Sequence, residues 1–109
     1  MKVYKVCPRS EWLNAEERGR FEGSAVDQGD GFIHLSSAGQ LAETLRLHFR
    51  GQGDLVLVEF LEDELPNLVW EPSRNGQLFP HLYGALPLDK VTHEWRLELS
   101  VEGIPLLPW

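Results

Sequence analysis

The 109-residue sequence predicts an α+β fold, with two helices in its N-terminal half followed mainly by strands. Three patterns support this class. Residues 38–49 have apolar side chains at the spacing of one helix face, residues 55–60 form an apolar run, and residues 91–99 alternate between apolar and polar. Because helices precede a series of strands instead of alternating with them, α+β is favoured over a doubly wound fold.

The N-terminal segment 3–7 predicts a short strand, followed by a first helix. Ser10 is the expected N-cap of this helix and Gly19 its end. Its buried side is expected to consist of Trp12, Leu13 and Ala15. Residues 23–31 contain three glycines and two aspartates, which predicts a loop.

A second strand is predicted at residues 32–35, and a second helix directly after it. Ser37 and Gln40 have the spacing of a capping box, which indicates the helix start, and Gly51 indicates its end. Five apolar residues are expected on the buried face: Ala38, Leu41, Ala42, Leu45 and Phe49.

The strands of the second half differ in their expected exposure. Residues 55–60 (Leu-Val-Leu-Val-Glu-Phe) predict a central strand buried on both faces. Residues 62–65 predict a helical turn, residues 68–71 a short strand, and residues 77–82 an extended segment. Between these strands, Asn75-Gly76 indicates a sharp turn.

The last predicted strand, residues 91–99, is half-solvated and antiparallel. Its apolar face is expected to comprise Val91, His93, Trp95, Leu97 and Leu99. His93 is therefore interpreted as a core histidine. The proline-rich tail, residues 101–109, is expected to lie loosely over the surface of a single domain spanning residues 1–109.

Charge and composition exclude several functional classes. The formal net charge of −7 argues against a long nucleic acid as the partner. No apolar run approaches the roughly 20 residues of a membrane helix, and the N-terminus lacks the apolar core of a signal peptide. Cys7 is the single cysteine, so a reducing, cytoplasmic location is expected. The four histidines are not spaced as metal ligands, so no metal site is predicted.

His34 lies in the first of two unusual segments, Asp30-Gly-Phe-Ile-His-Leu-Ser36. Strict alternation puts His34 and Ser36 on one face of the strand, where a helix begins. A helix start offers free N–H groups to an anion, so Ser36, Ser37 and their amides could hold a phosphate beside His34. The alternative is that a serine only caps the helix and His34 bonds to a backbone carbonyl.

The second segment runs from Trp70 to Gly84 and contains a turn arginine, Arg74. A guanidinium can bind a phosphate or carboxylate through two hydrogen bonds, although a turn arginine can also be simply solvated. Glu71 could orient Arg74 or act on a ribose hydroxyl. Its alternative role is that of an exposed carboxylate at a strand end.

His81 and Tyr83 are two residues apart and share a face in an extended chain. Trp70 and Phe79 could form a flat wall on which a base stacks. The alternative for the three aromatic residues is that they fill the core. The two segments together predict a site with His34, Glu71 and His81 as candidate catalytic residues.

These segments, with the helix ending in His48-Phe49 and the strand Leu55-Val-Leu-Val, together resemble the DUF952 family of mostly bacterial proteins. The resemblance covers about residues 3–91. It implies an ADP-ribosyltransferase-like fold with two small sheets around a cleft that takes NAD in active members. His34 also matches the histidine of a similar strand segment in RNA 2′-phosphotransferases. A Ser-Thr-Ser strand and a late Glu-x-Glu turn are absent from the sequence, so the resemblance assigns no reaction.

The first functional hypothesis is a domain that binds a nucleotide or another phosphorylated small molecule, with NAD or a related nucleotide as the possible cofactor. In it, Ser36, Ser37, Trp70, Arg74 and Tyr83 bind the ligand, and a transferase reaction is possible. One alternative is an inactive scaffold or interaction module that docks through the apolar tail at residues 104–109. Another is an enzyme resembling the RNA 2′-phosphotransferases. The sequence leaves the oligomeric state open.

Overall fold

A computed structural model describes the whole chain, Met1–Trp109. It contains nine strands and three α-helices. In chain order these are β1 (Lys2–Pro8), α1 (Arg9–Arg18), β2 (Arg20–Phe21), α2 (Ala25–Asp30), β3 (Ile33–His34), β4 (Ser36–Ser37), α3 (Leu41–His48), β5 (Leu55–Leu61), β6 (Leu68–Pro72), β7 (Leu78–Leu82), β8 (Leu86–Pro87) and β9 (Val91–Leu97). None of the helices has the length and apolar character needed to cross a membrane.

The strands form three sheets in which every pairing is antiparallel. The main sheet has the order β4-β1-β5-β9, a second has the order β3-β7-β6, and β2 pairs with β8. The α+β class is thus confirmed, with a third sheet and a third helix beyond those predicted. The extra sheet was missed because its two-residue strands are too short to show alternation.

The core lies on both faces of the main sheet. Val56, Val58 and Phe60 of β5 belong to a cluster that extends toward α1 and the second sheet. Leu55 and Leu57 belong to a second cluster, which includes Leu41 and Leu45 of α3. This arrangement confirms that β5 is a central strand buried on both sides.

Two local predictions are confirmed by the backbone. Ser37 and Gln40 form a complete capping box, although a 3₁₀ turn at residues 38–40 precedes α3. Asn75 and Gly76 both have positive φ, 57° and 74°, in the turn between β6 and β7. A tight reversal of two twisted strands requires that conformation.

The buried faces of α1 and α3 are narrower than predicted. Trp12 and Ala15 are buried, but Leu13 is exposed because it points about 100° away from Trp12 around the helix. In α3, Leu41 and Leu45 are buried, while Ala38 and Ala42 are exposed. The predicted start of α1 was also wrong, because the N-cap is Pro8 and not Ser10.

The segment predicted as a loop, residues 23–31, contains α2. The Ser24 hydroxyl accepts a hydrogen bond from the backbone N–H of Asp27, and the Asp27 carboxylate accepts one from the backbone N–H of Ser24, which makes a capping box. Gly31 ends the helix with φ at 85°. The helix has only six residues, too few for a periodic apolar pattern to be recognised.

The predictions for the last strand and the tail were partly wrong. His93 is exposed, with 63% of its side chain accessible: it lies on β9, the edge strand of the main sheet, where its ring stacks on Trp95. The tail is packed rather than loose. Leu107 lies against the α3 side of the core, and the Trp109 ring lies 5.6 Å from that of Tyr4.

Candidate functional site

A cavity of about 620 Å³ lies between the two larger sheets, α2 and α3. That volume is in the usual range for small-molecule sites. Eight residues from the two segments singled out in the sequence line it: Asp30, His34, Leu35, Ser36, Ser73, Arg74, Phe79 and His81. The structure therefore brings the two segments together around one space.

One wall of the cavity carries a cluster of one guanidinium group and two hydroxyl groups. Arg74 Nη2 donates to Thr44 Oγ1 at 3.3 Å, and the Thr44 and Ser36 hydroxyls are 3.1 Å apart. The guanidinium lies over the Phe79 ring, with its central carbon 4.7 Å from the ring centroid. Its nearest carboxylate, that of the exposed Glu43, is 3.8 Å away, which leaves Arg74 able to bind a further anion.

His34 is held between two carboxylates. Its Nδ1 lies 2.7 Å from Asp27 Oδ1, and its Nε2 lies 3.0 Å from Asp30 Oδ2. Because an ionised carboxylate only accepts hydrogen bonds, both contacts are made at once when both ring nitrogens carry hydrogen. In that form the ring is a potential proton donor.

Asp27 is a buried carboxylate below His34. Its Oδ2 accepts a hydrogen bond from Lys5 Nζ at 2.7 Å. Burial by itself raises the pKa of Asp27, but the hydrogen bond from His34 and the charge of Lys5 outweigh burial and hold that pKa far below its usual range. Asp27 therefore stays ionised and fixes the orientation of His34.

His81 is oriented from behind by Glu71. Its Nδ1 lies 2.8 Å from Glu71 Oε1, and the Tyr83 hydroxyl donates to the same carboxylate at 2.9 Å. The hydrogen bonds from His81 and Tyr83 lower the pKa of Glu71, and the bond to Glu71 raises the pKa of Tyr83. Since Glu71 takes the Nδ1 hydrogen, the Nε2 of a neutral His81 is an acceptor. That buried nitrogen has no hydrogen-bond partner in the protein.

Four of the predicted site residues lie outside the cavity wall. Glu71 and Tyr83 contact it only through His81. Ser37 caps the helix, and its N–H is taken by Gln40 Oε1 at 3.0 Å. Trp70 packs on the α1 side of the core and donates to Glu62 at 2.8 Å.

The sequence reasoning missed several lining residues that make polar contacts in the site, among them Lys5, Asp27, Asp30 and Thr44. Only Asp27 had a local signal, namely the Ser-x-x-Asp spacing of its capping box. Lys5 lies 22 residues from Asp27, and their pairing depends on the tertiary fold. Thr44 looked like an ordinary helix residue and is identified only by its contacts with Ser36 and Arg74.

The fold and the site together define a small α+β protein with a polar cavity between its sheets. The family model described as "Protein of unknown function (DUF952)" matches residues 6–94, and the chain belongs to that family. This confirms the resemblance noted in the sequence.

Solved structures of protein CC0527 from Caulobacter crescentus have the same fold. Its crystal structure is 48% identical with a TM-score of 0.94, over 97% of this chain and 94% of that one. Its solution NMR structure is 50% identical with a TM-score of 0.85, over 95% and 90% of the two chains.

Two curated Arabidopsis thaliana proteins match a shorter part of the chain. They are described as putative wall-associated receptor kinase-like 16 and wall-associated receptor kinase 1. Each is 45% identical over 42 residues, which is 38% of this chain. The match spans 10% of the first plant protein and 6% of the second, so it concerns a small part of either one.

Proposed function

We propose that the cavity binds a nucleotide or another phosphorylated small molecule, with NAD and related nucleotides as the first candidates. The observation that carries the proposal is the unpartnered, buried Nε2 of His81 in a cavity that Arg74 also lines. A buried polar atom without a partner costs free energy, which a ligand group that bonds to it recovers.

The anion of the ligand is assigned to the wall formed by Arg74, Thr44 and Ser36. The guanidinium is held against Phe79 and supplies the positive charge, and the two hydroxyls can each donate a hydrogen bond. His81 lies two residues along β7 from Phe79, and a ribose hydroxyl donating to His81 Nε2 would complete the hydrogen bonding of that ring. This division of polar groups suits a phosphate joined to a sugar.

The ADP-ribosyltransferase-like fold implied by the resemblance is part of this proposal. Small antiparallel sheets around a cleft are compatible with it, and it makes NAD a reasonable first ligand. Transferase chemistry has a direct test, the release of nicotinamide from NAD. If the chain binds NAD and releases no nicotinamide, it is an NAD-binding protein and not a transferase that uses NAD.

A bacterial cytoplasmic setting is also proposed, on the state of the lone thiol. Cys7 is buried and unpaired, and burial raises its pKa to about 12. It is therefore neither a disulfide partner within the chain nor a reactive thiolate at neutral pH. A chain that is stabilised without disulfides suits a reducing compartment.

The binding proposal is tested by thermal unfolding with a panel of AMP, ADP-ribose, NAD and inorganic phosphate. We expect the phosphorylated nucleosides to raise the melting temperature, and Arg74→Ala to abolish the rise. Arg96→Ala is the matched control, because Arg96 is an exposed arginine of β9 paired with Asp54, away from the cavity. The absence of a shift with the whole panel would contradict the proposal and favour an inactive scaffold.

A further inference from the structure

We propose that His34 and His81 are a general acid and a general base that hydrolyse a cyclic phosphodiester on a mononucleotide-sized ligand. This inference rests on the proposed function, because it needs the phosphate to be bound in the same cavity. It goes further in assigning a reaction and a role to each histidine.

The two histidines are direct cross-strand neighbours. His34 of β3 is paired with His81 of β7 in the antiparallel register, and their ring centroids are 5.5 Å apart. The Phe32 ring contacts both, stacked on His81 at 4.1 Å and tilted toward His34 at 4.7 Å. Backbone pairing and a shared aromatic neighbour therefore fix the separation of the two imidazoles.

Their surroundings give the two rings opposite roles. His34 faces a carboxylate at each nitrogen, Asp27 at Nδ1 and Asp30 at Nε2, and is arranged to carry two hydrogens. His81 faces a single carboxylate, Glu71 at Nδ1, and its Nε2 has no partner. One ring is thus arranged to give a proton and the other to accept one, as acid–base catalysis requires.

The reaction needs only water as co-reactant. His81 Nε2 takes a proton from the water as its oxygen forms a bond to phosphorus. The bond from phosphorus to one ring oxygen of the cyclic ester breaks, and that oxygen takes the proton from His34 Nε2. The products are a phosphate monoester and a free hydroxyl, and proton exchange with solvent restores both histidines.

The oxygen that leaves phosphorus must take the place of Asp30 at His34 Nε2. Asp30 lies at the end of α2 with its side chain 52% exposed, so its carboxylate can turn to solvent. Asp27 stays at Nδ1, because it is buried and paired with Lys5. The acid therefore keeps its orientation while its proton becomes available.

Size and charge restrict the substrate. A cavity of about 620 Å³ holds a mononucleotide, and the net charge of −7 disfavours a long RNA. Besides the cations, Glu11 and Asp30 line the cavity. A phosphodiester carries one negative charge and is repelled by them less than the doubly charged monoester, which assists release of the product.

The test uses nucleoside 2′,3′-cyclic phosphates as probes, with phosphorus NMR to follow conversion to the monoester. We expect hydrolysis by the intact chain, and a loss of about 100-fold or more with His34→Asn or His81→Asn. His93→Asn is the matched control, because His93 also faces a carboxylate through Nδ1 but lies outside the cavity. It is expected to keep the full rate.

Binding is measured on the same proteins, by the thermal shift that the monoester product produces. Binding without hydrolysis by the intact chain would overturn the acid–base assignment and leave the proposed function standing. Absence of both would overturn the two together. If the two histidine variants keep the thermal shift and the rate of the intact chain, the histidines are not the catalytic pair.

Discussion

Lys5 Nζ lies 2.7 Å from Asp27 Oδ2, and both side chains are almost completely buried, with 6% and 2% exposed. A pair this deep depends on both partners, because a single buried charge left behind is costly. The same lysine donates to the backbone carbonyl of His34 at 3.1 Å. The pair therefore connects the main sheet, α2 and the strand that carries the candidate acid.

Asp27 is expected to make the protein sensitive to acid. The pKa of this carboxyl is held far below that of the unfolded chain, about 3.9, so its contribution to stability is present above about pH 4. That contribution is lost as the pH falls through the folded-state pKa. Urea unfolding between pH 7 and pH 2.5 should show falling stability in acid and a flatter profile for Asp27→Asn. Glu59 and Glu71, whose pKa values are also lowered, contribute to the slope that remains.

At pH 7 the same Asp27→Asn substitution should cost about 3–5 kcal/mol, because it leaves Lys5 buried without a counter-charge. Asp63→Asn, at an exposed aspartate, is the control and should cost less than about 0.5 kcal/mol. Equal acid profiles for the intact chain and Asp27→Asn would show that the pair does not set the acid limit.

Tyr83 is expected to control the ionisation of Glu71. Removing its hydroxyl with Tyr83→Phe takes away one of the hydrogen bonds that lower the pKa of Glu71, so that pKa should rise. Carbon NMR of the glutamate carboxyls across a pH titration measures the change. Tyr4→Phe is the matched control, since Tyr4 donates to Glu59 and should leave the Glu71 titration unchanged. A Glu71 titration that does not move in Tyr83→Phe contradicts the assignment.

Trp70 is expected to contribute to stability and not to ligand binding. Trp70→Phe removes the hydrogen bond to Glu62, at a cost of about 1 kcal/mol, and should leave the ligand-induced thermal shift intact. Phe79→Leu, which removes the ring under the guanidinium of Arg74, should reduce that shift. A Trp70→Phe protein that no longer responds to nucleotides would show that the indole reaches the ligand after all.

The tail residue Trp109 is expected to stabilise the folded chain. Its ring lies 5.6 Å from Tyr4 and 5.4 Å from Trp95, so Trp109→Ala should lower the free energy of unfolding by about 1 kcal/mol. Val101→Ala, at a fully exposed position, is the control. Gel filtration of the same variants tests the alternative role. A dimer that Trp109→Ala dissociates, with no loss of stability, would make the tail a docking segment.

The elements that were predicted well have a signal within their own sequence. The apolar run of β5 and the capping box at Ser37 and Gln40 are local, and both are present in the fold. His34 and Ser36 share the cavity, as strand alternation indicated, although they belong to two different sheets. Side chains two residues apart in an extended chain point to the same side even where the chain passes from one sheet to another.

The parts that could not be predicted depend on distant partners. The exposure of His93 reflects the place of β9 at the edge of the main sheet, which the sequence of β9 does not reveal. The direction of Trp70 is set by Glu62 and by the core beside α1. Glu71 has a place in the site only because the fold brings His81 and Tyr83 to the same carboxylate.

Leu35 has a mechanical consequence for how the cavity can open. It is the one residue between β3, in the second sheet, and β4, in the main sheet, and its N–H donates to the carbonyl of Pro80. The two sheets are thus joined on one side of the cleft by a single buried residue, which has the position of a hinge. Widening the cleft by rotation about Leu35 would separate Arg74, carried by the second sheet, from Thr44 of α3, and would leave His34 and Ser36 almost stationary.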